Sequence, residues 1–342
     1  MKKNLFYLLI LLLVGFGVYY FVFKDKDRTF SEEETNFTIK DTATVGRIFM
    51  VRTSGQFIDL KRTSSGWTTN DIYPSRTSTV SSLLRILHKQ VARYPVSEKQ
   101  HNYIVKSMSG NSVKVEVYDL TGKVMTKFYV GPDEEKAFGT YLYNEGAKRI
   151  FFAQIPNFDG CLSSIYSTNL DDWRSRNVFN VPTENIAQAT ITYPNEPLKS
   201  FTIQQDKAIK LIADKSASKN NPLNERRAKV FLGFFNDVNC EGYLTNIPGI
   251  DSIIAMVPKL CNIKVTDKKG MTKEADVYYM LLNKRSKSPG TAILGKFDHD
   301  RLYAVFNNHK DTAVIQYLSF DKFFRTAEEF FVSDSVQSSV HK

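Results

Sequence analysis

The chain has 342 residues, of which 42% are hydrophobic and 13% aromatic. This composition is sufficient to form packed cores and excludes disorder of the whole chain. Its formal net charge is +10, yet the basic residues are dispersed among carboxylates, and Arg226-Arg227 and Lys268-Lys269 are only doublets. This distribution excludes a recognisable nucleic-acid-binding stripe and predicts a solvated basic surface. The alternative is attraction of the basic surface to anionic lipid head groups.

The first predicted element is a transmembrane helix over residues 1–23. Leu5 to Phe23 is an uncharged, almost wholly apolar run behind Lys2 and Lys3, long enough as a helix to cross a hydrocarbon core of about 30 Å. No small-x-small cleavage site follows, so we expect an uncleaved anchor, with an atypical signal peptide as the alternative. The positive charges on the two sides of the run are equal in number, so they do not determine its orientation. Because long domains translocate largely regardless of charge, we expect the body outside the cytoplasm.

The two ends of the remaining chain are predicted to lie outside the folded modules. Residues 24–43 are dense in charge and include Glu32-Glu33-Glu34, so they are interpreted as a juxtamembrane linker. Residues 333–342 form a polar, serine-rich tail. The three cysteines permit at most one internal disulfide, and none has the CxxC spacing of a metal or redox motif.

Between these ends the sequence runs through one pattern twice, which predicts modules at residues 44–180 and 181–332. Val113 to Gly122 alternates apolar and polar residues before an Asp-x-x-Gly turn, and Ile263 to Gly270 repeats this pattern. The alternation predicts strands with one buried face, and Gly122 can adopt the positive φ that closes such a hairpin. Chance similarity of alternating strands is the alternative to a duplication.

Each hairpin follows a predicted amphipathic helix. The apolar positions at helical spacing are Val80, Leu83, Leu84, Leu87 and Val91 in the first and Val230, Phe231, Phe234, Phe235 and Val238 in the second. Asn221-Pro222 is predicted to cap the second helix. Downstream, residues 149–153 and 301–305 are interpreted as corresponding strands. The predicted fold class is therefore α+β, as tandem duplicated modules of antiparallel-rich sheet covered by a helix.

No motif in the sequence predicts catalysis. The five histidines never fall at i, i+4, and no Walker, GxGxxG or GxSxG pattern occurs, so we expect no metal, no cofactor and no catalytic residue. Asp298-His299-Asp300 is the only local cluster with metal-ligand chemistry. It is interpreted as a polar loop before the strand at residues 302–306.

Candidate contact residues are aromatic and arginine side chains. Trp67 and Tyr73 could bind a glycan or peptide, while the alternative for Trp67 is to close the edge of the first core. Arg174 and Arg176, next to Trp173, could hold an acidic partner through bidentate contacts. The alternative for the arginines is a clasp between the modules, formed with Asp171, Asp172 or a neighbouring carboxylate. Arg301 and Tyr303 complete the set of candidate contacts.

Five features spread over nearly the whole chain occur together in one known family. They are the lysine-led anchor, Gly66-Trp67 before a helix, the two Asp-x-x-Gly hairpins, Asp172-Trp173-Arg174 before a strand, and Arg301-Leu302-Tyr303-Ala304 near the end. In these features the chain resembles the family catalogued as domain of unknown function 4340. The resemblance implies a bacterial envelope protein of the Bacteroidota type, some relatives of which stand near auxiliary ABC-transporter components of the gliding-motility kind. It supplies no catalytic residues.

The functional expectation combines the anchor, the modules and the absence of catalytic motifs. We expect a non-enzymatic, single-pass protein of the inner membrane with a periplasmic body, which binds another envelope component. A transporter subunit is the candidate protein partner, and nucleic acid is not expected as a partner. The alternative is a glycan- or peptide-binding protein or hydrolase with its site at the junction of the two modules.

Overall fold

The computed structural model describes residues 12–16, 32–217, 221–282 and 296–332. The chain divides into two compact units, unit 1 (Met1–Ser175) and unit 2 (Arg176–Lys342). The fold is α+β, and every strand pairing in the described residues is antiparallel.

Unit 1 is built on a nine-stranded sheet. Its strands are β1 (Val45–Arg52), β2 (Phe57–Thr63), β3 (Gly66–Thr69), β4 (Tyr73–Pro74), β5 (Val91–Pro95), β6 (Val113–Asp119), β7 (Val124–Glu134), β8 (Gly139–Asn144) and β9 (Phe151–Gln154). Its helices are α1 (Glu32–Thr35), α2 (Thr77–Lys89), α3 (Glu98–Asn111) and α4 (Leu170–Trp173). The strands are ordered β4-β3-β2-β1-β6-β7-β8-β9-β5.

Unit 2 has an eight-stranded sheet and a separate two-stranded one. Its strands are β10 (Asn177–Phe179), β11 (Ile186–Thr192), β12 (Phe201–Gln205), β13 (Ile209–Ala213), β14 (Val238–Asn239), β15 (Gly242–Tyr243), β16 (Lys259–Asp267), β17 (Thr272–Leu281), β18 (Phe297–Phe306) and β19 (Asp311–Gln316). Its helices are α5 (Glu225–Gly233), α6 (Ile250–Met256) and α7 (Tyr317–Phe320). The large sheet is ordered β13-β12-β11-β16-β17-β18-β19-β15, and β10 pairs with β14.

The two large sheets have the same strand order once β4 is set aside, with β1 in the position of β11 and β6 in that of β16. Both predicted hairpins are present. In each, an aspartate carboxylate accepts a hydrogen bond from the backbone four residues later, Asp119 at 2.9 Å and Asp267 at 2.8 Å. The turn glycines have φ of 86° at Gly122 and 84° at Gly270.

One predicted correspondence between the modules is wrong. Residues 151–154 form β9, the second strand after β7, whereas residues 301–305 belong to β18, the first strand after β17. The strand order places β18 opposite β8, and β19 opposite β9. Both segments are aromatic-rich, and alternation alone does not distinguish neighbouring strands of one sheet.

The predicted helix in unit 1 covers the main core. Val80, Leu83 and Leu87 are buried against the sheet, while Leu84 is only half-buried. Val91 was assigned to the same helix, but it begins β5. The helix ends at Lys89: the backbone N–H of Gln90 still donates to the carbonyl of Ile86, but Gln90 is extended, and its side chain donates to the carbonyl of Phe37 at 2.6 Å.

The helix of unit 2 is shorter than predicted. Phe231 and Phe235 are buried, but Val230 is 54% exposed and Val238 lies in β14. The cap is not Asn221, since the Asn224 side chain accepts from the backbone N–H of Arg227 at 3.1 Å.

A second helix in each unit was missed. The first unit's α3 packs Ile104 and Met108 into a smaller core on the opposite sheet face, and α6 packs Ile250 into the corresponding one. Each sheet therefore carries apolar contacts on both faces rather than one.

The last residues of unit 1 and the last described residues of unit 2 close the main cores of these units. The backbone N–H of Arg76 donates to the carbonyl of Trp173 at 2.6 Å, and that of Asn224 donates to Phe330 at 2.7 Å. Beside them, Ser175 bonds to the carbonyl of Pro74 and Val332 to that of Pro222, at 2.7 and 3.0 Å. Trp173 is fully buried and Phe330 is 3% exposed.

Most of the predicted anchor and the whole tail at residues 333–342 lie outside the described residues. Leu12 to Phe16 is helical, and across the four described ranges no helix is long and apolar enough to cross a membrane. The linker boundary is wrong at its end, because Phe37 and Ile39 are buried in the first core. Their apolar side chains were obscured by the charged residues around them.

Candidate functional site

A groove of about 690 Å³ lies on the outer face of the unit 1 sheet, opposite the main core. Its floor is one cross-strand row in which Val51 pairs with Lys114, Lys114 with Tyr129, and Tyr129 with Tyr143. These residues alternate with core residues such as Val113 and therefore point away from the core. Four neighbouring strands thus present one apolar-and-basic strip.

The wall of the groove is α3. Ile104 and Met108 fix this helix to the sheet, which leaves His101, Val105 and Ser109 along the flank that faces the groove. Their i, i+4, i+8 spacing lies along one side of a helix. The groove volume lies within the range of about 300–1,000 Å³ typical of small-molecule sites.

Lys114 is the centre of a charge network on the floor. Its ammonium lies 2.8 Å from a Glu145 carboxylate oxygen and 3.1 Å from Glu116, and it is 5.9 Å from the centre of the Tyr129 ring. The hydrogen bond to Glu145 raises the pKa of Lys114 above its ordinary value and lowers the pKa of Glu145. Burial raises the pKa of Tyr129.

These shifts move the pKa values of three floor groups further from neutral pH. Lys114 remains charged, Glu145 remains ionised and Tyr129 remains protonated at neutral pH. General acid–base catalysis is most efficient with a group whose pKa lies near the working pH, and the pKa values of these three groups are shifted away from it. The floor therefore offers fixed charge and hydrogen-bonding groups suited to recognition.

Arg52 lies at the end of β1, where the groove meets a smaller pocket of about 290 Å³. Its Nε donates to the Thr168 hydroxyl and one terminal nitrogen donates to the Asn111 side-chain oxygen, both at 3.1 Å. Both acceptors are neutral. Across the described part of the chain, no carboxylate lies within ion-pair distance of this guanidinium.

Most of the predicted contact residues of unit 1 lie at the closure of its core. The Arg174 guanidinium is 4% exposed, forms an ion pair with Asp171 at 2.9 Å and stacks over Tyr73, 5.4 Å from the ring centre. The buried Trp173 indole donates to the carbonyl of Ser167 at 2.8 Å, and the Asp172 carboxylate accepts from the Ser167 hydroxyl. The predicted pairing of Arg174 with Asp171 is present, inside unit 1.

Trp67 is half-buried beneath the Arg62 guanidinium, which lies 4.8 Å from its ring, and it packs against the main core. This matches the core-edge interpretation of Trp67.

The remaining candidates lie in unit 2. Arg176 donates to the Glu241 carbonyl at 2.6 Å, and Arg301 Nε donates to the Glu241 carboxylate at 2.8 Å. Tyr303 is buried in the smaller core, where burial raises its pKa. The structure thus joins Arg176 and Arg301 through Glu241.

The acidic triplet is a structural feature of β18. Asp298 is 5% exposed, and one of its carboxylate oxygens accepts from the backbone N–H groups of Asp300 and Arg301 at 2.8 and 3.0 Å. The strand begins at Phe297, so the triplet does not precede it as a loop. Within the described ranges, no cluster of three ligating side chains could hold a metal ion.

The groove residues were missed at the sequence level. Lys114, Tyr129 and Tyr143 occupy the polar half of alternating strands, which predicts contact with solvent. The sequence did contain a pattern that indicates a binding surface. Two tyrosines and a lysine lie at outward positions of neighbouring strands, and tyrosine is enriched at interfaces. Comparison with protein-family models, curated proteins and solved structures found no match to this chain.

Proposed function

We propose that this chain is a non-enzymatic, single-pass inner-membrane protein that binds another envelope component in the unit 1 groove, with its body in the periplasm. The observation that carries the proposal is the groove itself. It is concave, its lining combines apolar side chains with a few placed polar groups, and the pKa values of Lys114, Glu145 and Tyr129 in its floor are shifted away from neutral pH. Ligand sites have this composition.

The membrane location rests on the sequence. The apolar run from Leu5 to Phe23 has the length of a span, and Lys2 and Lys3 precede it. The resemblance to domain of unknown function 4340 points to the same compartment and makes a transporter subunit of the gliding-motility-associated kind the candidate neighbour. That resemblance rests on the motifs named above.

We further infer that the two units are copies of one module. Their large sheets share a strand order, their Asp-x-x-Gly hairpins share hydrogen bonds, and Trp173 and Phe330 close their cores in the same way. A duplicated module allows one copy to acquire a binding groove while the other keeps a different surface.

Site-specific photocrosslinking in the native envelope tests the proposed function. Lys148 is an exposed residue on the groove rim, and Lys123 is an exposed residue in the β6–β7 turn, outside the groove. A photoreactive amino acid at position 148 should give an adduct with an envelope component that position 123 does not give. Equal adducts at both positions, or none at 148, would reject the groove as a binding site.

A further inference from the structure

The geometry points to a single-chain anionic amphiphile, a free long-chain carboxylate, as the component bound in the unit 1 groove. This inference rests on the proposed function, because it presumes that the groove is a binding site. It is argued from the charge of Arg52, the net charge of the residues lining the groove and the apolar side chains among them.

Arg52 is an uncompensated cation at the groove's end. Arg47 pairs with Asp59 at 2.7 Å and Arg174 with Asp171 at 2.9 Å, whereas Arg52 donates only to a hydroxyl and an amide oxygen. Arg62 also has neutral acceptors, but its guanidinium is stacked on Trp67 and lies outside the groove. A guanidinium has five N–H donors in a planar fork, so two bonds leave donors for a carboxylate. Neutral partners fix the orientation of the Arg52 side chain without neutralising its charge.

The charged residues lining the groove favour an anion. Three are cationic, Arg52, Lys114 and Lys148, and one is a carboxylate, Glu145, a net charge of +2 with histidine neutral. Glu145 is already paired with Lys114. The positive charge that remains for a ligand therefore belongs to Arg52 and Lys148, and Arg52 also has the fixed geometry.

The apolar side chains of the groove lining favour an apolar chain over a peptide backbone. Val51, Val105, Met108 and Ile150 line the groove, which follows α3 from His101 to Ser109, a length of about 12 Å at the helical rise. A peptide would bring N–H and C=O groups that need partners. The principal polar groups of the floor, Lys114 and Glu145, are bonded to each other.

Photoaffinity labelling of the full chain in native membranes tests this assignment. The probe is dodecanoate with a terminal diazirine, and the matched probe is the corresponding dodecanol. We expect the carboxylate to label the groove peptides, with about tenfold less labelling by the alcohol, because a hydrogen bond to a charged group contributes roughly one such factor. Arg52→Gln should lower carboxylate labelling about tenfold and leave alcohol labelling unchanged.

Matched variants separate the groove from general effects. Arg85→Gln removes one exposed positive charge from α2, outside the groove, and should leave labelling unchanged. Val105→Asp puts a carboxylate in the groove and should abolish labelling, whereas Tyr103→Asp, at a 74% exposed position of the same helix that does not line the groove, should not.

Several outcomes would overturn the inference. Equal labelling by the acid and the alcohol, or labelling of Arg52→Gln at the level of the native chain, would show that the groove does not select an anionic head group. A photoreactive phosphatidylglycerol that labels the groove in preference to dodecanoate replaces the free carboxylate with a bilayer lipid. If position 148 captures a protein while dodecanoate labels nothing, this inference fails and the proposed function stands; if position 148 also captures nothing, both fail.

Discussion

The two units share a strand order but differ on the outer sheet face. In unit 1 the cross-strand row is Val51, Lys114, Tyr129 and Tyr143; the row at the same sheet position in unit 2 is Thr192, Asn262, Asp276 and Val305. The charged residue of the second row already has protein partners: the Asp276 carboxylate accepts a hydrogen bond from Asn262 at 2.8 Å and forms an ion pair with Lys259 at 3.0 Å. The helix above it has 7 residues in unit 2 and 14 in unit 1.

This difference shows which positions the fold constrains. The inward residues are apolar in both units, with Val113, Val115 and Val117 matched by Cys261, Ile263 and Val265. The outward residues have only to keep the strand paired and are free to diverge. The chemistry of the outer sheet face can therefore differ between the units while both cores stay apolar.

The largest expected effect tests the shared closure of the two cores. Trp173→Ala and Phe330→Ala should each lower the free energy of unfolding by about 3–5 kcal/mol, because each removes a buried aromatic ring at the point where its unit closes. Denaturant titration measures the change, and hydrogen exchange of α2 or α5 reports the unit concerned. Tyr103→Ala, at an exposed site, is the control, with a change below about 0.5 kcal/mol. A cost under 1 kcal/mol for only one of the core variants would break the comparison.

A smaller effect tests the shared hairpins. Gly122→Ala and Gly270→Ala should each cost about 1–2 kcal/mol, since an L-residue is strained in the left-handed conformation. Gly110→Ala should instead raise the free energy of unfolding by roughly 0.5 kcal/mol. Gly110 lies in α3, where alanine is the better helix former, and no atom lies near the added methyl group. Thermal and denaturant midpoints measure all three. Unequal costs at positions 122 and 270 would show that the turns differ in strain despite similar φ.

The smallest effect concerns the floor pair that unit 2 lacks. The lowered pKa of Glu145 means that its stabilising contribution is present above the unfolded glutamate pKa of about 4.3 and is lost as pH falls through the lower folded value. Lys114→Met should therefore cost at most about 1 kcal/mol at pH 7, because the pair is partly exposed, and the difference from the native chain should shrink towards pH 3. Lys123→Met is the matched control. A difference that grows on acidification would contradict this pairing.

The sequence was sufficient for the fold class and for the two hairpins, because alternation and turn glycines are local signals. It did not reveal α3, whose apolar positions are few and whose Gly110 weakens the helical pattern. It extended α2 to Val91 because helical periodicity continues through that residue, whereas the bond from Gln90 to Phe37 comes from chain 53 residues away. Tertiary contacts decided each of these cases.

The groove was less accessible to sequence reasoning than the fold. Its floor joins Val51, Lys114, Tyr129 and Tyr143 through the register of four strands, and alternation specifies a face but not which residues stand opposite. The predicted contact residues, by contrast, were each chosen for the chemistry of a single side chain. Trp173 and Arg174 were chosen for their side-chain chemistry, and this chemistry contributes to closing a core.

Each unit is closed by residues near its C-terminal end, and this affects when the unit can complete its fold during synthesis. Ser175 bonds to Pro74 and Val332 to Pro222, so the final contact of each unit spans roughly a hundred residues of chain and is slow to form. Synthesis from the N-terminus adds Trp173 and Ser175 before any strand of unit 2. At about 5–20 residues per second, unit 1 has roughly ten to thirty seconds in which to complete its sheet before the second set of equivalent strands has emerged. The strands of unit 1 are thus available for pairing before the equivalent strands of unit 2.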